Sequence, residues 1–481
     1  MSETVGTVTF PTSCTASVQH DFEHAVAMLH SFAYAESEQA FRAVIAEDPS
    51  CAIAHWGVAM SRYHELWSPP SPDDLRTGST ETEQAEGLNA GTPRERQFIA
   101  ALAAFYKDWD RLPHKDHARA YSDAMAGVAS SNPGDVEAQL FYALSLIAIA
   151  PPEDKSHADQ KRAIAILEPI FHAYPDHPGA AHYLIHAYDS TELASQGLVA
   201  ARAYSKIAPS MPHALHMPSH IYTRLGLWRD SIASNLAARE AAKQHADVGE
   251  QLHAMDYLTY AYLQRGQWAA AELVVADLGT MKEVSGKDFK IGYAATAMPV
   301  RLVMERHKWS DAAKLAAWPG STPQVAAIVF WARAVADARG GHPQKGDGDI
   351  ASIESCRAQL QSAGDSYWAR QVAVLGKEAK AWQLDAVGRP QDAVQLLQEA
   401  TDEEDSLEKL PVTPGPVIPA REQLGEMLLV VHRPKDALKE FQAALIEAPG
   451  RRGALTGAMQ AAELADDKLV AGKMRAQLAS E

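Results

Sequence analysis

A short turn followed by a tryptophan recurs in this chain at intervals of about one helix pair. It appears as LGLW at 225–228, as RGQW at 265–268 and as HKW at 307–309. The segments VGRPQDA at 387–393 and VHRPKDA at 431–437 share a second, related pattern. Self-similarity at such a period is typical of repeat proteins, in which each helix pair buries its apolar face against its neighbours. The sequence therefore predicts an all-α fold of stacked helix-turn-helix units.

The last of these segments resembles the tetratricopeptide repeat, a helix pair of about 34 residues with small and large side chains at fixed packing positions. The residues that match those positions are Leu424, Gly425, Leu428, Ala437, Phe441, Ala444 and Pro449. Phe41 with Pro49 and Ala163 with Pro175 fit parts of other repeats. The resemblance implies tetratricopeptide-like repeats over most of residues 1–481, stacked into a right-handed α-solenoid.

Three stretches have the composition of loops. Residues 68–93 are rich in Pro, Ser, Thr, Gly and Glu, residues 340–348 are rich in Gly, and residues 411–419 contain four prolines. We expect all three to be loops or linkers. The Gly-rich stretch is the candidate boundary between His-rich repeats at 1–340 and a C-terminal group at 349–481, within a chain that the sequence predicts to be one solenoid.

The charge of the chain limits the classes of partner. It carries 61 acidic and 44 basic residues, a formal net charge of −17. A surface of that sign repels phosphate backbones and anionic lipid. The most apolar stretch, residues 141–150, is too short to span a bilayer. Neither nucleic acid nor a membrane is therefore expected as a partner.

The cysteines and the N-terminus bear on the compartment. Cys14, Cys51 and Cys356 show no paired spacing, which predicts no disulfide framework and favours a reducing environment. The first 14 residues lack both a basic start and a continuous apolar run, so neither a signal peptide nor an anchor is expected there. The sequence predicts a cytoplasmic protein.

Histidines are concentrated in the first half of the chain, where all but three of the 20 precede residue 254. The groups that stand out are His182 with His186, His213 with His216 and His220, His253, and the earlier His55 and His64. Histidines four residues apart stack on one helical face and can chelate a single ion. Single histidines elsewhere are expected to be hydrogen-bonded core or rim residues.

The repeat phase places several of these residues on one stripe. In a tetratricopeptide unit the second, fifth, ninth and twelfth residues share a face of the first helix, and the resemblance implies that this face lines the concave groove. Counted from Gly226, Gly266 and Pro175, the stripe contains His213, His216, His220, His253, Asp256, His182, His186 and Asp189. Three successive repeats, between Pro178 and Gly266, are thus predicted to direct His and Asp side chains into one cavity.

Imidazole and carboxylate ligands together suit zinc, iron, manganese or copper, and the absence of thiolates argues against a closed structural zinc site. Such a metal ion would keep one coordination position open for water or dioxygen.

The predicted metal ligands are His182, His186, His216, His220 and His253. The candidates for acid–base catalysis are Asp189, Asp256 and Tyr260. The predicted substrate contacts are His213, Tyr183, His55, His64 and Glu422. Glu422 and Glu426 lie far along the chain and reach the site only if the superhelix curls back.

Pro218 lies between His216 and His220. A proline costs about 3 kcal/mol in a helix interior but is tolerated in the first turn. If a helix starts at Met217, only His220 keeps helical phase and His216 becomes its cap. The i, i+4 argument then rests on His182 and His186.

Four short segments of the sequence resemble segments of bacterial tetratricopeptide-repeat proteins of unassigned function. They are FPTSC at 10–14, HYLIH at 182–186, HMPSH at 216–220 and PARE at 419–422. The resemblance covers nearly the whole chain and implies an α-solenoid, but no activity, because most such arrays are scaffolds. The sequence contains no His-Glu-x-x-His motif, Gly-rich phosphate loop, dinucleotide fingerprint or Gly-x-Ser-x-Gly elbow.

Two functions therefore stay open. One is a metalloenzyme whose groove holds a divalent transition metal and activates water or dioxygen on a small molecule or peptide. The other is a non-catalytic scaffold whose groove clamps a peptide, with histidines supplying hydrogen bonds and pH sensitivity. Peptide-clamping grooves are typically rich in Lys, Arg and Asn, whereas this stripe is rich in His and Asp. That composition favours the metalloenzyme.

Overall fold

The computed structural model describes residues 3–66, 69–282 and 284–480. Within those ranges every regular element is a helix and no strand occurs. The predicted all-α fold of stacked helical pairs, of the α-solenoid class, is confirmed. The chain forms two compact units, Met1–Ile221 and Tyr222–Glu481. The division at 340–349 stays a prediction of the sequence.

Helices of the first unit follow one another along the chain, and neighbours in sequence pack together. Their bounds are α1 Gln19–His30, α2 Tyr34–Glu47, α3 Ala52–Ser61, α4 Pro72–Leu88, α5 Pro93–Tyr106, α6 His114–Ser131, α7 Val136–Ile149, α8 Ala158–Ala173, α9 Pro178–Tyr188, α10 Leu198–Ile207 and α11 Pro212–His216. The next helix, α12 Pro218–Arg224, begins in the first unit and ends three residues into the second. A short 3-10 turn, Ala16–Val18, precedes α1. Helix α1 also packs against α9, far along the chain.

Helix α4 corrects one expectation from the sequence. Residues 68–93 have a loop-like composition, yet Pro72–Leu88 is helical; Ser68 lies outside the described residues. Ser71 and Asp74 form a capping box at its start, where the proline at the first helical position is also favourable. The buried residues Gly78, Thr82 and Ala85 form a stripe of small side chains at helical spacing. That stripe suffices for packing, so the helix needs few large apolar residues.

Glycines beneath aromatic rings recur between paired helices. A Cβ atom at Gly57 on α3 would lie 2.5 Å from the Phe41 ring on α2. In the second unit, a Cβ atom at Gly425 would lie 2.8 Å from the Phe441 ring, and one at Gly457 would lie 2.3 Å from the same ring. Any side chain at these positions would push the helices apart. These contacts are the small-against-large packing that the repeat resemblance implies.

An extended N-terminal segment, residues 3–15, crosses the first unit. The Thr4 amide donates to Ser210 Oγ at 2.8 Å, and the Thr7 amide donates to the Asp176 carbonyl at 3.0 Å. Gly6 has a φ of +89°, and a Cβ atom there would lie 2.8 Å from Pro178. The segment is therefore fixed against the residues that precede α9 and α11.

The prediction that the cysteines are unpaired is wrong. Cys14 and Cys51 form a disulfide with a Cα–Cα distance of 4.9 Å, which fastens the N-terminal segment to the start of α3. Cys356 is free and buried. Disulfides persist in oxidising compartments, so cysteine usage gives no support to a cytoplasmic location. No helix in the described ranges is both long and apolar enough to cross a membrane.

The second unit continues the pattern of paired helices. Their bounds are α13 Trp228–Gln244, α14 Val248–Gln264, α15 Trp268–Leu278, α16 Phe289–Met304, α17 Trp309–Ala312, α18 Pro323–Arg339, α19 Asp347–Ser362, α20 Ser366–Ala386, α21 Pro390–Asp405, α22 Ala420–Val430, α23 Pro434–Glu447, α24 Arg452–Leu464 and α25 Lys468–Ser480. Within the expected loop at 340–348, Pro343–Gly346 form a 3-10 turn that leads directly into α19, which begins at Asp347.

The proline-rich residues 411–419 form no regular element, as predicted, but they are fixed by a buried arginine. Arg301 donates to the carbonyls of Gly415 and Pro416 at 2.8 and 2.9 Å and to Thr413 Oγ1 at 2.9 Å. Its Nε lies 3.0 Å from Asp256 Oδ1, so the buried guanidinium is charge-compensated. The ion pair organises this loop within the second unit.

Glu404→Gln is expected to stabilise the protein at pH 8 and to leave its stability at pH 5 nearly unchanged. Burial raises the pKa of Glu404 to about 7, above the ordinary value of 4.5. The folded state therefore holds a proton that the unfolded chain releases, and stability falls as the pH rises from 4.5 to 7. Glutamine loses no proton, so we expect a gain of about 1–2 kcal/mol above pH 7 in thermal unfolding followed by circular dichroism. Glu399→Gln, an exposed position on the same helix, should show no such pH-dependent gain.

Candidate metal centre

Five histidines of the first unit lie on three helices: His182 and His186 on α9, His213 and His216 on α11, and His220 in the first turn of α12. All residues of α9 are buried, which fits its nearly uniform apolar composition. A polar side chain on such a helix must find its partners inside the protein.

Helix α11 ends at His216 and Pro218 starts α12, so the proline interrupts the helix where the sequence suggests. Met217 between them nevertheless keeps helical angles, with φ −53° and ψ −37°, and its amide donates to the His213 carbonyl at 2.9 Å. The helical phase therefore survives the break. As a result His216 Nε2 and His220 Nε2 lie 3.0 Å apart.

One group of possible metal ligands consists of His182, His186 and His213, whose ligand nitrogens all lie within 4.8 Å of one another. His182 Nε2 and His213 Nε2 are 3.1 Å apart. Two nitrogens bound to one ion at about 2.1 Å would be about 3 Å apart at a right angle and about 3.4 Å at the tetrahedral angle. The observed separation fits shared coordination of one ion by these two rings.

Hydrogen bonds on the far side orient two of the rings. His182 Nδ1 donates to the His30 carbonyl at 2.6 Å, which leaves the lone pair on Nε2, the nitrogen that faces His213. His220 Nδ1 lies 2.9 Å from Asp189 Oδ2, so its Nε2 lone pair faces His216 in the same way. Backbone carbonyls and carboxylates serve this purpose behind the histidine ligands of metal proteins.

Burial favours the neutral form of His182. His182 is 0% exposed, His213 2% and His186 7%. Burial lowers the pKa of His182 well below its usual value, and the neighbouring His186 and His213 lower it further. A neutral imidazole is the form that binds metal.

Aromatic rings surround the three histidines. The Phe32 ring centroid lies 4.4 Å from that of His182 and 5.4 Å from that of His213, and Tyr204 stacks on His182 at 5.0 Å. An apolar shell limits the access of solvent and strengthens electrostatic interactions within the site.

The pair His216–His220 continues the row of imidazoles. Ring centroids are 6.0 Å apart for His186–His220 and 6.2 Å apart for His213–His216. The five rings therefore form one continuous group, in which α9 provides two and the α11–α12 segment three. The sequence predicts the other four histidines as ligands and His213 as a substrate contact. The structure brings His213 Nε2 to 3.1 Å from His182 Nε2, within the distance expected of two ligands of one ion.

Sequence spacing does not reveal the residues that support the cluster from α1 and α7. His30 Nδ1 lies 2.7 Å from the Tyr183 hydroxyl, and His30 Nε2 lies 2.7 Å from Glu137 Oε2. His177 Nε2 lies 2.8 Å from Glu137 Oε1. The two imidazoles hold the pKa of Glu137 well below its usual range. One buried carboxylate thus fixes His30, whose carbonyl orients His182.

Other predicted residues of the first unit have local partners. The Tyr183 hydroxyl is engaged by His30, and His55 Nδ1 lies 2.7 Å from Glu81 Oε2. His64 has a φ of +51°, and its ring lies 4.7 Å from that of Tyr34. These contacts account for the positions of the three side chains, and their substrate-binding roles stay predictions.

The remaining predicted residues belong to the second unit. His253 is buried on α14, and its ring lies 5.3 Å from that of Tyr257. Asp256 is the partner of Arg301, while Tyr260 lies beneath the guanidinium of Arg301 at 5.3 Å. Glu422 pairs with Arg451 at 2.7 Å. Glu426 pairs with Arg339 at 2.9 Å.

No protein-family model matches the chain, and no curated protein matches it. Among solved structures, the TPR domain of P58(IPK) matches 94% of this chain and 99% of its own at 12% identity and a TM-score of 0.24. Human IFIT1 with PPP-AAAA and with m7Gppp-AAAA matches 89% of this chain and 90% of its own. The identities are 10% and 11%, and the TM-scores 0.36 and 0.38. None of these matches indicates a function for this chain.

Proposed function

We propose that the first unit is a metal-dependent enzyme with a transition-metal centre on His182, His186 and His213, next to the pair His216 and His220. The observation that carries the proposal is the 3.1 Å approach of two Nε2 atoms in a buried group of imidazoles. Without a metal ion, one of the two Nε2 atoms must carry a proton and donate a hydrogen bond to the other. The His186 ring lies beside this pair and would have no role in that hydrogen bond.

An all-imidazole set of ligands suits zinc, copper or iron, with manganese favoured less because it prefers oxygen. Three protein ligands leave a coordination position for water or dioxygen, which is the arrangement of catalytic rather than structural sites. Asp189 would act by holding His220 in one tautomer. The substrate is a small molecule or peptide. The five histidines and Asp189 all belong to the first unit.

A non-catalytic peptide clamp is supported less well. A clamp needs its recognition residues on an open surface, because the peptide must reach them. The histidines of the cluster are instead buried and enclosed by aromatic rings. Their burial is costly for a scaffold and useful for a metal centre, since a low dielectric strengthens the bonds to the ion.

Metal analysis of the full chain, purified without an affinity tag and reconstituted with each candidate ion, tests the proposal. We expect about one bound equivalent or more of one transition metal per chain by mass spectrometry, and less in the double variant His182→Ala, His220→Ala. Less than about one equivalent in the wild type, unchanged in the double variant, would exclude the metal centre. His117→Ala, a buried histidine on α6 bonded to the Leu112 carbonyl, is the matched control.

A further inference from the structure

Glu65 is a buried carboxylate that the proposed metal centre does not use. It lies four residues beyond the end of α3 and is 7% exposed. Neither of its carboxylate oxygens has a hydrogen-bond partner in the described ranges. Burial raises the pKa of Glu65 well above its usual value, and no described cation acts to lower it. An unpaired buried carboxyl of this kind is costly and requires an explanation.

Tyr63, two residues earlier, has the same property. Its side chain is 0% exposed, and its hydroxyl has no hydrogen-bond partner within the described chain. The ring is tightly packed, with its centroid 3.8 Å from that of Phe105 and 5.2 Å from that of Tyr121. Since packing fixes the ring, the hydroxyl cannot turn away to find a partner. One short turn thus contains two unsatisfied polar groups.

The surroundings of Glu65 are aromatic and extend toward the histidine cluster. Burial raises the pKa of the Tyr63, Tyr121 and Tyr183 hydroxyls, and the Glu65 carboxylate raises it further in each case. Tyr183 directly precedes Leu184 on α9 and follows His182 in sequence. Glu65 thus acts electrostatically on three tyrosines, one of which, Tyr183, adjoins the proposed ligand His182 in sequence.

Few small groups satisfy these atoms together. Protonation of Glu65 would remove its charge but leave the Tyr63 hydroxyl without a partner. A water molecule would supply donors but no compensating charge. A primary ammonium group has three N–H donors and a positive charge, and tyrosine ring faces attract cations. The net charge of −17 also attracts a cationic ligand to the protein.

We propose that Glu65 and Tyr63 bind the primary ammonium group of an amine substrate, with the Glu65 carboxylate as counter-ion and the Tyr63 hydroxyl as a further acceptor. The inference rests on the proposed function only in calling the bound amine a substrate of the histidine cluster. The binding site itself depends on residues outside that cluster.

Calorimetric titration of the full chain with n-butylammonium and with n-butanol at pH 7 tests the inference, because the two probes have similar shapes and differ in charge. We expect the ammonium to bind about tenfold or more tightly than the alcohol, as charge-assisted hydrogen bonds imply. Glu65→Gln should abolish that preference, and Tyr63→Phe should reduce it several-fold. Glu168→Gln removes a carboxylate that already accepts from the Tyr188 hydroxyl and should retain it.

Equal binding of the two probes by the wild type, or a preference that survives in Glu65→Gln, would overturn the inference. Loss of a bound zinc equivalent in Glu65→Gln would also overturn it, by making Glu65 a metal ligand. If Glu65→Gln fails to fold, Tyr63→Phe decides, and an unchanged preference in that variant counts against the site. Metal content is measured separately: ammonium binding without bound metal would contradict the metal centre and leave the amine site intact.

Discussion

Replacing His182 and His213 together by alanine should weaken transition-metal binding to the full chain by about a hundredfold or more, since loss of even an outer-shell partner typically costs about 10–100-fold. Both Nε2 atoms that approach to 3.1 Å are removed, and His186 alone cannot chelate. Titration with zinc or copper against a competing chelator measures the affinity. In the wild type, free metal at about 100 times its Kd should add about 2.7 kcal/mol to the free energy of unfolding.

Two further variants separate the ligands from their surroundings. His117→Ala should bind metal as the wild type does, because it removes a buried histidine of α6 that lies outside the cluster. Asp189→Asn leaves every imidazole in place and weakens only the bond that orients His220, which lies outside the three proposed ligands, so we expect a much smaller loss of affinity than in the double alanine variant. Wild-type affinity in the double alanine variant would contradict the proposed centre.

Removal of the Cys14–Cys51 disulfide should be the largest single loss of stability in the first unit. The bond joins residues 37 apart in sequence, and loop closure of that length corresponds to about 4 kcal/mol in the chain-entropy model. Cys14→Ser with Cys51→Ser should therefore lower the urea midpoint of unfolding followed by circular dichroism. A thiol reductant should reproduce the loss in the wild type.

Cys356→Ser is the natural control, since Cys356 is free and lies in the second unit. It should leave the response to reductant unchanged. Thiol titration of the unfolded, unreduced wild type should find one free thiol. Three free thiols, or equal urea midpoints for the wild type and the double serine variant, would show that the bond does not form.

The fold was predictable because its determinants are local and repeated. Gly425 under Phe441 and the paired turns at 387–393 and 431–437 can be recognised within one repeat. Composition does not predict helix α4, because its polar residues suggest a loop, whereas its capping box and the small residues on its buried face permit a solvated helix. The disulfide is not predictable, because its two cysteines have no characteristic spacing.

The site was predictable only in part. The i, i+4 spacing of His182 and His186 on a buried helix identifies one face of the cluster. The contact from His30 to His182 spans 152 residues and the one from His30 to Glu137 spans 107, so no local pattern encodes them. The sequence likewise cannot show that the carboxylate oxygens of Glu65 lack hydrogen-bond partners, because this depends on which side chains are buried around them.

The N-terminal segment bears on how the first unit assembles. An ordinary repeat array can begin folding at any repeat and propagate, because each helix pair touches only its neighbours. Here the Thr4–Ser210 contact closes 206 residues, and α1 supplies the carbonyl that orients His182 on α9. Long loops of this kind raise the entropic barrier to folding and couple distant helices. Hydrogen exchange in this unit should therefore report one cooperative opening that includes α1 and α9, with no separate melting of the repeats between them.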